Sequence, residues 1–290
     1  MPRRFRFGVS LTNPAPAGEW REKCRRAEQL GYDVILVPDH LGMPAPFPSL
    51  VAAAEATERP RVGTFVLNAG FWNPTLLARE VATTDALTGG RLELGLGTGY
   101  IQAEHDTAEL PFGSARERVD HLVRTVEELE RLLGAAEQPP RVPLLIGGNG
   151  DRMLRLTAEH ADIAAFTGAR SVPGSVTGTL APLTAAELDE RVAAYRSLAV
   201  GRKEPAELNV LIQMVVVTDD REAAVRELLP RVPQLTLEQV LDLPIFLIGT
   251  LEQLTTQVRA QRERYGFSYL TVLEPYMEAF GTVIKALREE

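Results

Sequence analysis

The chain has one cysteine, Cys24, in 290 residues, so no intrachain disulfide can form and a reducing cytoplasm is the expected setting. Histidine is also scarce: His40, His105, His121 and His160 are the full set. They make no H-x-H or H-E-x-x-H pattern, and no metal site is expected. No G-x-S-x-G marks a serine nucleophile, and no glycine-rich loop ends in Gly-Lys-Ser/Thr. No apolar run is long enough to span a bilayer. The basic start, Met1-Pro2-Arg3-Arg4-Phe5-Arg6, has no apolar stretch behind it, so no signal peptide is expected. Positive charge is in deficit, with a net charge of −8 and only three lysines among 31 basic residues. That balance argues against nucleic acid or a membrane surface as partner and leaves a small molecule as the expected one.

What is present is a globular composition, 45% hydrophobic and 24% charged. The most informative stretch is Gly89-Gly90-Arg91-Leu92-Glu93-Leu94-Gly95-Leu96-Gly97-Thr98-Gly99-Tyr100. Leu92, Leu94 and Leu96 alternate as in a strand, and three glycines then clear its carboxyl end of side chains. A dinucleotide fingerprint, G-x-G-x-x-G, would need glycine where Tyr100 stands, followed by a strand ending in an acid. A tight turn explains the glycines equally well, and the neighbouring elements have to decide.

Strands are expected at Phe5–Leu11, Asp33–Val37, Arg61–Leu67, Leu92–Leu96, Val142–Ile146, Asp162–Phe166, Val210–Val217 and Tyr269–Leu273, with helices between them. Ser114 with Glu117, Thr184 with Glu187, Thr236 with Gln239, and Thr250 with Gln253 have capping-box spacing. Val119, Leu122, Val123, Val126, Leu129 and Leu133 mark one apolar helix face. Eight alternating strand–helix units predict a single (β/α)8 TIM barrel over residues 1–290, with a doubly wound open sheet as the alternative. The Gly/Ser/Thr/Pro-rich stretch Gly168–Pro182 is expected to be a long mobile loop, part of an insertion over about 168–205.

In a barrel the carboxyl ends of the strands form one ring of loops. That ring would gather Thr12, Asp39, His40, Asn68, Thr98, Tyr100, Gly147, Gly148, Thr167, Gln213 and Glu274. The bend Gly147-Gly148 leads into a helix whose N-terminus favours an anion. A glycine-lined mouth with one imidazole suits a phosphate-bearing cofactor whose own ring does the chemistry.

These residues resemble the luciferase-like family of barrel oxidoreductases. The resemblance rests on Val37-Pro38-Asp39-His40, on Arg79-Glu80-Val81-Ala82-Thr83-Thr84-Asp85-Ala86-Leu87-Thr88-Gly89-Gly90-Arg91, and on Gly95-Leu96-Gly97-Thr98-Gly99. It continues through Pro143-Leu144-Leu145-Ile146-Gly147-Gly148 and Phe246-Leu247-Ile248-Gly249-Thr250. The branch most resembled uses the deazaflavin coenzyme F420, which implies hydride transfer between the deazaflavin and an organic substrate, and a homodimer. His40 is then the expected acid/base. Cofactor contacts are expected at Asp39, Phe65, Val66, Asn68, Gly97, Thr98, Gly99, Gly147 and Gly148. The resemblance also implies a bulge with a non-prolyl cis peptide at Phe65-Val66, pressed against the cofactor ring. The alternatives are a monooxygenase using reduced flavin mononucleotide (FMN) and a non-catalytic flavin-binding barrel.

Two positions depart from the sugar-phosphate dehydrogenases of that branch. Tyr100 stands where they carry glutamate after Thr-Gly, and Pro44 where they carry tryptophan. With no lysine cluster for a phosphate, a sugar phosphate is not the expected substrate. Tyr100 and Glu274 are the expected polar substrate contacts, and Phe71 or Trp72 an apolar wall.

Overall fold

The computed structural model describes residues 3–135, 141–172, 174–232 and 235–289. The chain opens with β1 (Arg6–Ser10), α1 (Ala17–Gln29), β2 (Val34–Val37), α2 (Pro46–Ala56), β3 (Arg61–Thr64) and β4 (Leu67–Asn68). Then come α3 (Pro74–Leu87), β5 (Leu92–Gly97), α4 (Gln102–Thr107), α5 (Ala115–Gly134), β6 (Leu144–Gly147) and α6 (Asp151–His160). The second half carries β7 (Ile163–Phe166), β8 (Ala169–Ser171), β9 (Leu180–Pro182), α7 (Ala185–Leu198), β10 (Glu207–Ile212) and β11 (Met214–Val217). It ends with α8 (Arg221–Leu228), α9 (Leu237–Leu241), β12 (Phe246–Gly249), α10 (Leu251–Tyr265), β13 (Phe267–Leu273) and α11 (Met277–Arg288).

Parallel pairing runs β3–β2–β1–β13–β10–β7–β6–β5, and β5 returns to both β3 and β4, which closes the sheet. Of its nine strands, β3 and β4 are one strand interrupted at Phe65-Val66, so the barrel has eight. The expected TIM barrel is therefore the fold. At the interruption Thr64 Oγ1 accepts from Gly95 N at 2.8 Å and donates to Gly95 O at 2.8 Å. A side chain thus replaces the ladder bonds that the bulge removes. The Phe65-Val66 peptide is cis.

All four capping boxes form, on α5, α7, α9 and α10. The apolar stripe of α5 buries Leu122, Val126 and Leu129, with Val119, Val123 and Leu133 packed at its edges.

Two expectations need correction. The seventh strand does not run to Val217: it leaves the barrel after Ile212, where Gln213 N donates to Ile245 O at 2.8 Å. Residues Met214–Val217 then pair in parallel with Phe246–Gly249 outside the barrel. This small sheet covers its own core of Val225, Val240, Leu243 and Ile248. The run Val210–Val217 is apolar throughout, and such a run carries no mark of a change of partner. Second, residues 168–182 are not an irregular loop. Ala169–Ser171 and Leu180–Pro182 pair antiparallel as a hairpin, and Pro173 lies outside the described residues.

The amino-terminal end of the barrel is closed by charge. Arg6 bonds Glu93 and, at 2.5 Å, Glu207, while Arg61 Nε lies 2.9 Å from Glu93. The Arg6 guanidinium sits 4.6 Å from the centre of the buried Tyr269 ring. Burial pushes the Glu93 carboxyl above its usual range, against the pull of Arg6 and Arg61.

Candidate active site

A cavity of about 770 Å³ opens at the carboxyl ends of the strands. Its floor is built around Val66. Phe65 and Val66 cap an apolar cluster inside the barrel that includes Leu36, Leu145, Ala165 and Tyr269. A Cβ on Gly97 would sit 2.7 Å from Val66 Cγ2, and one on Gly147 3.4 Å from Val66 Cγ1. Gly97 at the end of β5 therefore makes room for the bulge of the third barrel strand, and both glycines leave the floor free of side chains. Gly99 has φ +69°, and a Cβ there would lie 2.2 Å from Asn68 Oδ1.

His40 stands on one wall. Its Nδ1 lies 3.0 and 3.1 Å from the two carboxylate oxygens of Glu104, on α4. The Tyr100 ring meets the imidazole edge-on, centroids 5.7 Å apart and planes 85° apart. Burial, with the Glu104 charge behind it, raises the pKa of the Tyr100 phenol, so it stays a neutral hydroxyl. Asp39 is engaged through one carboxylate oxygen. Its Oδ2 accepts from Asn68 N at 3.2 Å and from Trp72 Nε1 at 2.9 Å. Burial raises its carboxyl pKa against those two hydrogen bonds.

Asn68 is held from behind. Its Oδ1 accepts from Gly70 N at 3.0 Å, and its Nδ2 lies 2.9 Å from His105 Nε2. His105 Nδ1 is 3.0 Å from the Pro111 carbonyl. An amide donor on one ring nitrogen and a carbonyl on the other assign buried His105 as the neutral Nδ1–H tautomer. His121 donates to Ala69 O at 3.0 Å, and His160 pairs with Glu130 at the surface. No cluster fit for a metal ion occurs among the described residues.

The cavity lining includes Asp39, His40, Phe65, Val66, Asn68, Gly97, Thr98, Gly99, Tyr100, Gly147 and Gly148 from the sequence-derived set, together with Thr12, Thr167 and Gln213. Three candidates, Phe71, Trp72 and Glu274, fall outside it, and Phe71 packs against the buried His105 ring instead, centroids 4.9 Å apart. Trp72 stacks edge-on against Phe47, centroids 5.2 Å apart, and serves Asp39 from behind. Glu274 accepts from Thr12 N at 2.6 Å and Asn13 N at 2.8 Å and pairs with Lys23 at 2.5 Å, so it anchors the loop after β1.

Sequence reading missed Glu104, Asn149 and the pair Arg170 and Arg191, all in the lining. Glu104 carries no readable local signal, because Tyr100, four residues before it, lies outside α4. Asn149 Nδ2 bonds Thr167 and the Ala169 carbonyl, but its Oδ1 is buried without a partner. A buried acceptor left open beside a cavity suits a ligand N–H. With the bare glycine floor and the start of α6 beside it, the mouth fits a flat ring bearing an anionic group.

The structure defines a closed parallel barrel with a glycine-lined mouth at its strand ends. The sequence matches the family described as luciferase-like monooxygenase over residues 4–268, and the chain belongs to that family. It is similar to a 5,10-methylenetetrahydromethanopterin reductase of Archaeoglobus fulgidus, 28% identical over 54% of this chain and 52% of that protein. An F420-dependent glucose-6-phosphate dehydrogenase of Nakamurella multipartita is 29% identical over 78% of this chain and 71% of that protein. The chain spans about half or less of the length of several curated relatives it matches, 35–52%. In fold it is similar to an F420-dependent secondary alcohol dehydrogenase in complex with an F420-acetone adduct, with TM-score 0.75 and 17% identity over 97% of each chain.

Proposed function

We propose that this protein is an F420-dependent oxidoreductase acting on a small organic substrate. The observation that carries the reading is the bare floor formed by Gly97 and Gly147 around Val66, with an imidazole on the wall above it. Two of the similar proteins described above are named for F420, which supports the deazaflavin over a flavin mononucleotide.

When bound, the deazaflavin supplies or accepts the hydride. Phe65 and Val66 would back the ring, and Gly97, Thr98, Gly99, Gly147 and Gly148 would let it approach the backbone. Asn149 Oδ1 offers an acceptor, and the N-terminus of α6 favours an anionic group. Asp39 holds Asn68 and Trp72 in place through one carboxylate oxygen. Met43, Leu180 and Leu183 form apolar parts of the wall and limit water. His40 gives or takes the proton coupled to the hydride at its cavity-facing nitrogen. Reduction of an imine or activated alkene fits this arrangement, as does oxidation of an alcohol. Self-association as a homodimer in the cytoplasm belongs to the same proposal, and light scattering reads the dimer.

His40→Ala tests the assignment. Turnover is expected to fall about 10²–10⁴-fold, the range for removing a general acid or base, while F420 binding stays within a few-fold. Unchanged turnover would remove His40 from the mechanism.

A further inference from the structure

The geometry points to Glu104 as the positioning residue of His40, fixing its tautomer with a carboxylate that enters from α4, four residues past Tyr100. For its activity readout the inference rests on the proposed hydride transfer. For its structural readout it does not.

Both oxygens of Glu104 converge on one nitrogen, His40 Nδ1, at 3.0 and 3.1 Å. A carboxylate can only accept there, so Nδ1 carries the proton, and whenever the ring is neutral the lone pair is on Nε2. The Glu104 side chain is only 14% exposed, which makes the pair a shielded one rather than a loose surface contact. Asp39, the carboxylate next to His40 in the chain, bonds through Oδ2 to Asn68 N and Trp72 Nε1 instead. The Tyr100 ring sits against the imidazole and restricts its rotation.

The support under Glu104 is also built. The next residue, His105, is fully buried and is held by Asn68 and the Pro111 carbonyl. The preceding residue, Ala103, donates its N–H to the Val176 carbonyl at 3.2 Å. Neighbours on both sides of Glu104 thus fix the backbone of a six-residue helix that would not hold its own shape in isolation.

Nitrogen-15 spectra of the histidine rings, with His40 assigned by its loss in His40→Gln, read the tautomer without any cofactor. The wild-type protein is expected to show neutral His40 as Nδ1–H. Glu104→Ala is expected to move it to Nε2–H, the form imidazole prefers in water. Glu104→Gln keeps an acceptor and is expected to retain Nδ1–H. In turnover, Glu104→Ala is expected to lower kcat about 100-fold with KM within threefold, and Glu104→Gln to recover part of the loss. A wild-type Nε2–H tautomer, an unmoved tautomer in Glu104→Ala, or an unchanged kcat in that variant overturns the inference. If the wild-type protein turns over no F420, the hydride-transfer reading fails while the tautomer result still decides the role of Glu104.

Discussion

At the scale of single residues, what the sequence showed was chemistry carried by residues near each other in the chain. Asp39-His40 and the two glycine bends could be placed because strand ends converge in any parallel barrel. Glu104 could not, because its role depends on α4 turning back toward the second strand, and no local spacing encodes that. Glu274 was misplaced for the converse reason: a carboxylate at a strand end can face either the cavity or the neighbouring loop. Here burial opposes its charge, but hydrogen bonds from Lys23, Asn13 and Thr12 outweigh that and hold its pKa below the usual carboxylate range. Its stabilising contribution is therefore complete above the unfolded carboxyl value and disappears as pH falls through the lower folded value. Glu274→Gln should flatten the acid limb of a plot of Tm against pH while leaving turnover at neutral pH nearly unchanged. Gly99→Ala should do the opposite. Its φ of +69° and the 2.2 Å approach to Asn68 Oδ1 leave no room for a methyl group. A loss of about 1–3 kcal/mol by denaturant titration is expected, together with weaker cofactor binding by fluorescence.

At the scale of elements, capping boxes were legible because each is a four-residue rule, and all four formed. The break in the seventh strand and the hairpin at Ala169–Pro182 were not, because both depend on partners far away in sequence. The long stretch Arg79–Arg91 is specific for a structural reason. Arg91 donates to the carbonyls of Ala54, Thr57, Pro60 and Thr88, so one guanidinium ties the end of α2 to the end of α3. The hairpin tip reaches α4 across the cavity mouth. At Gly178, φ is +74°, and a Cβ would lie 2.5 Å from Ile101 and 2.8 Å from the Tyr100 ring. Gly178→Ala should weaken this contact locally by about 1 kcal/mol or more. Limited proteolysis would then cut within the hairpin faster, and KM should rise with little change in kcat. Equal cleavage of both proteins would show that the tip contact does not hold the hairpin.

At the scale of the molecule, the two ends of the barrel do different work. The amino-terminal end is closed by Arg6, Arg61, Glu93 and Glu207, with the carboxylates of Glu93 and Glu207 only 3% and 8% exposed. Arg6→Met would leave both carboxylates short of their shared partner, and a buried pair broken on one side costs about 3–5 kcal/mol. Chemical denaturation should show that loss, while cofactor affinity per folded molecule stays unchanged. The carboxyl-terminal end carries the glycine floor and the imidazole, and what binds there decides the function. The direct measurement is a paired titration with F420 and FMN, in oxidised and reduced forms, read by absorbance and fluorescence. Saturable binding of F420 and weak binding of FMN are expected. Tight binding of reduced FMN with oxygen-dependent product, and no affinity for F420, would contradict that expectation.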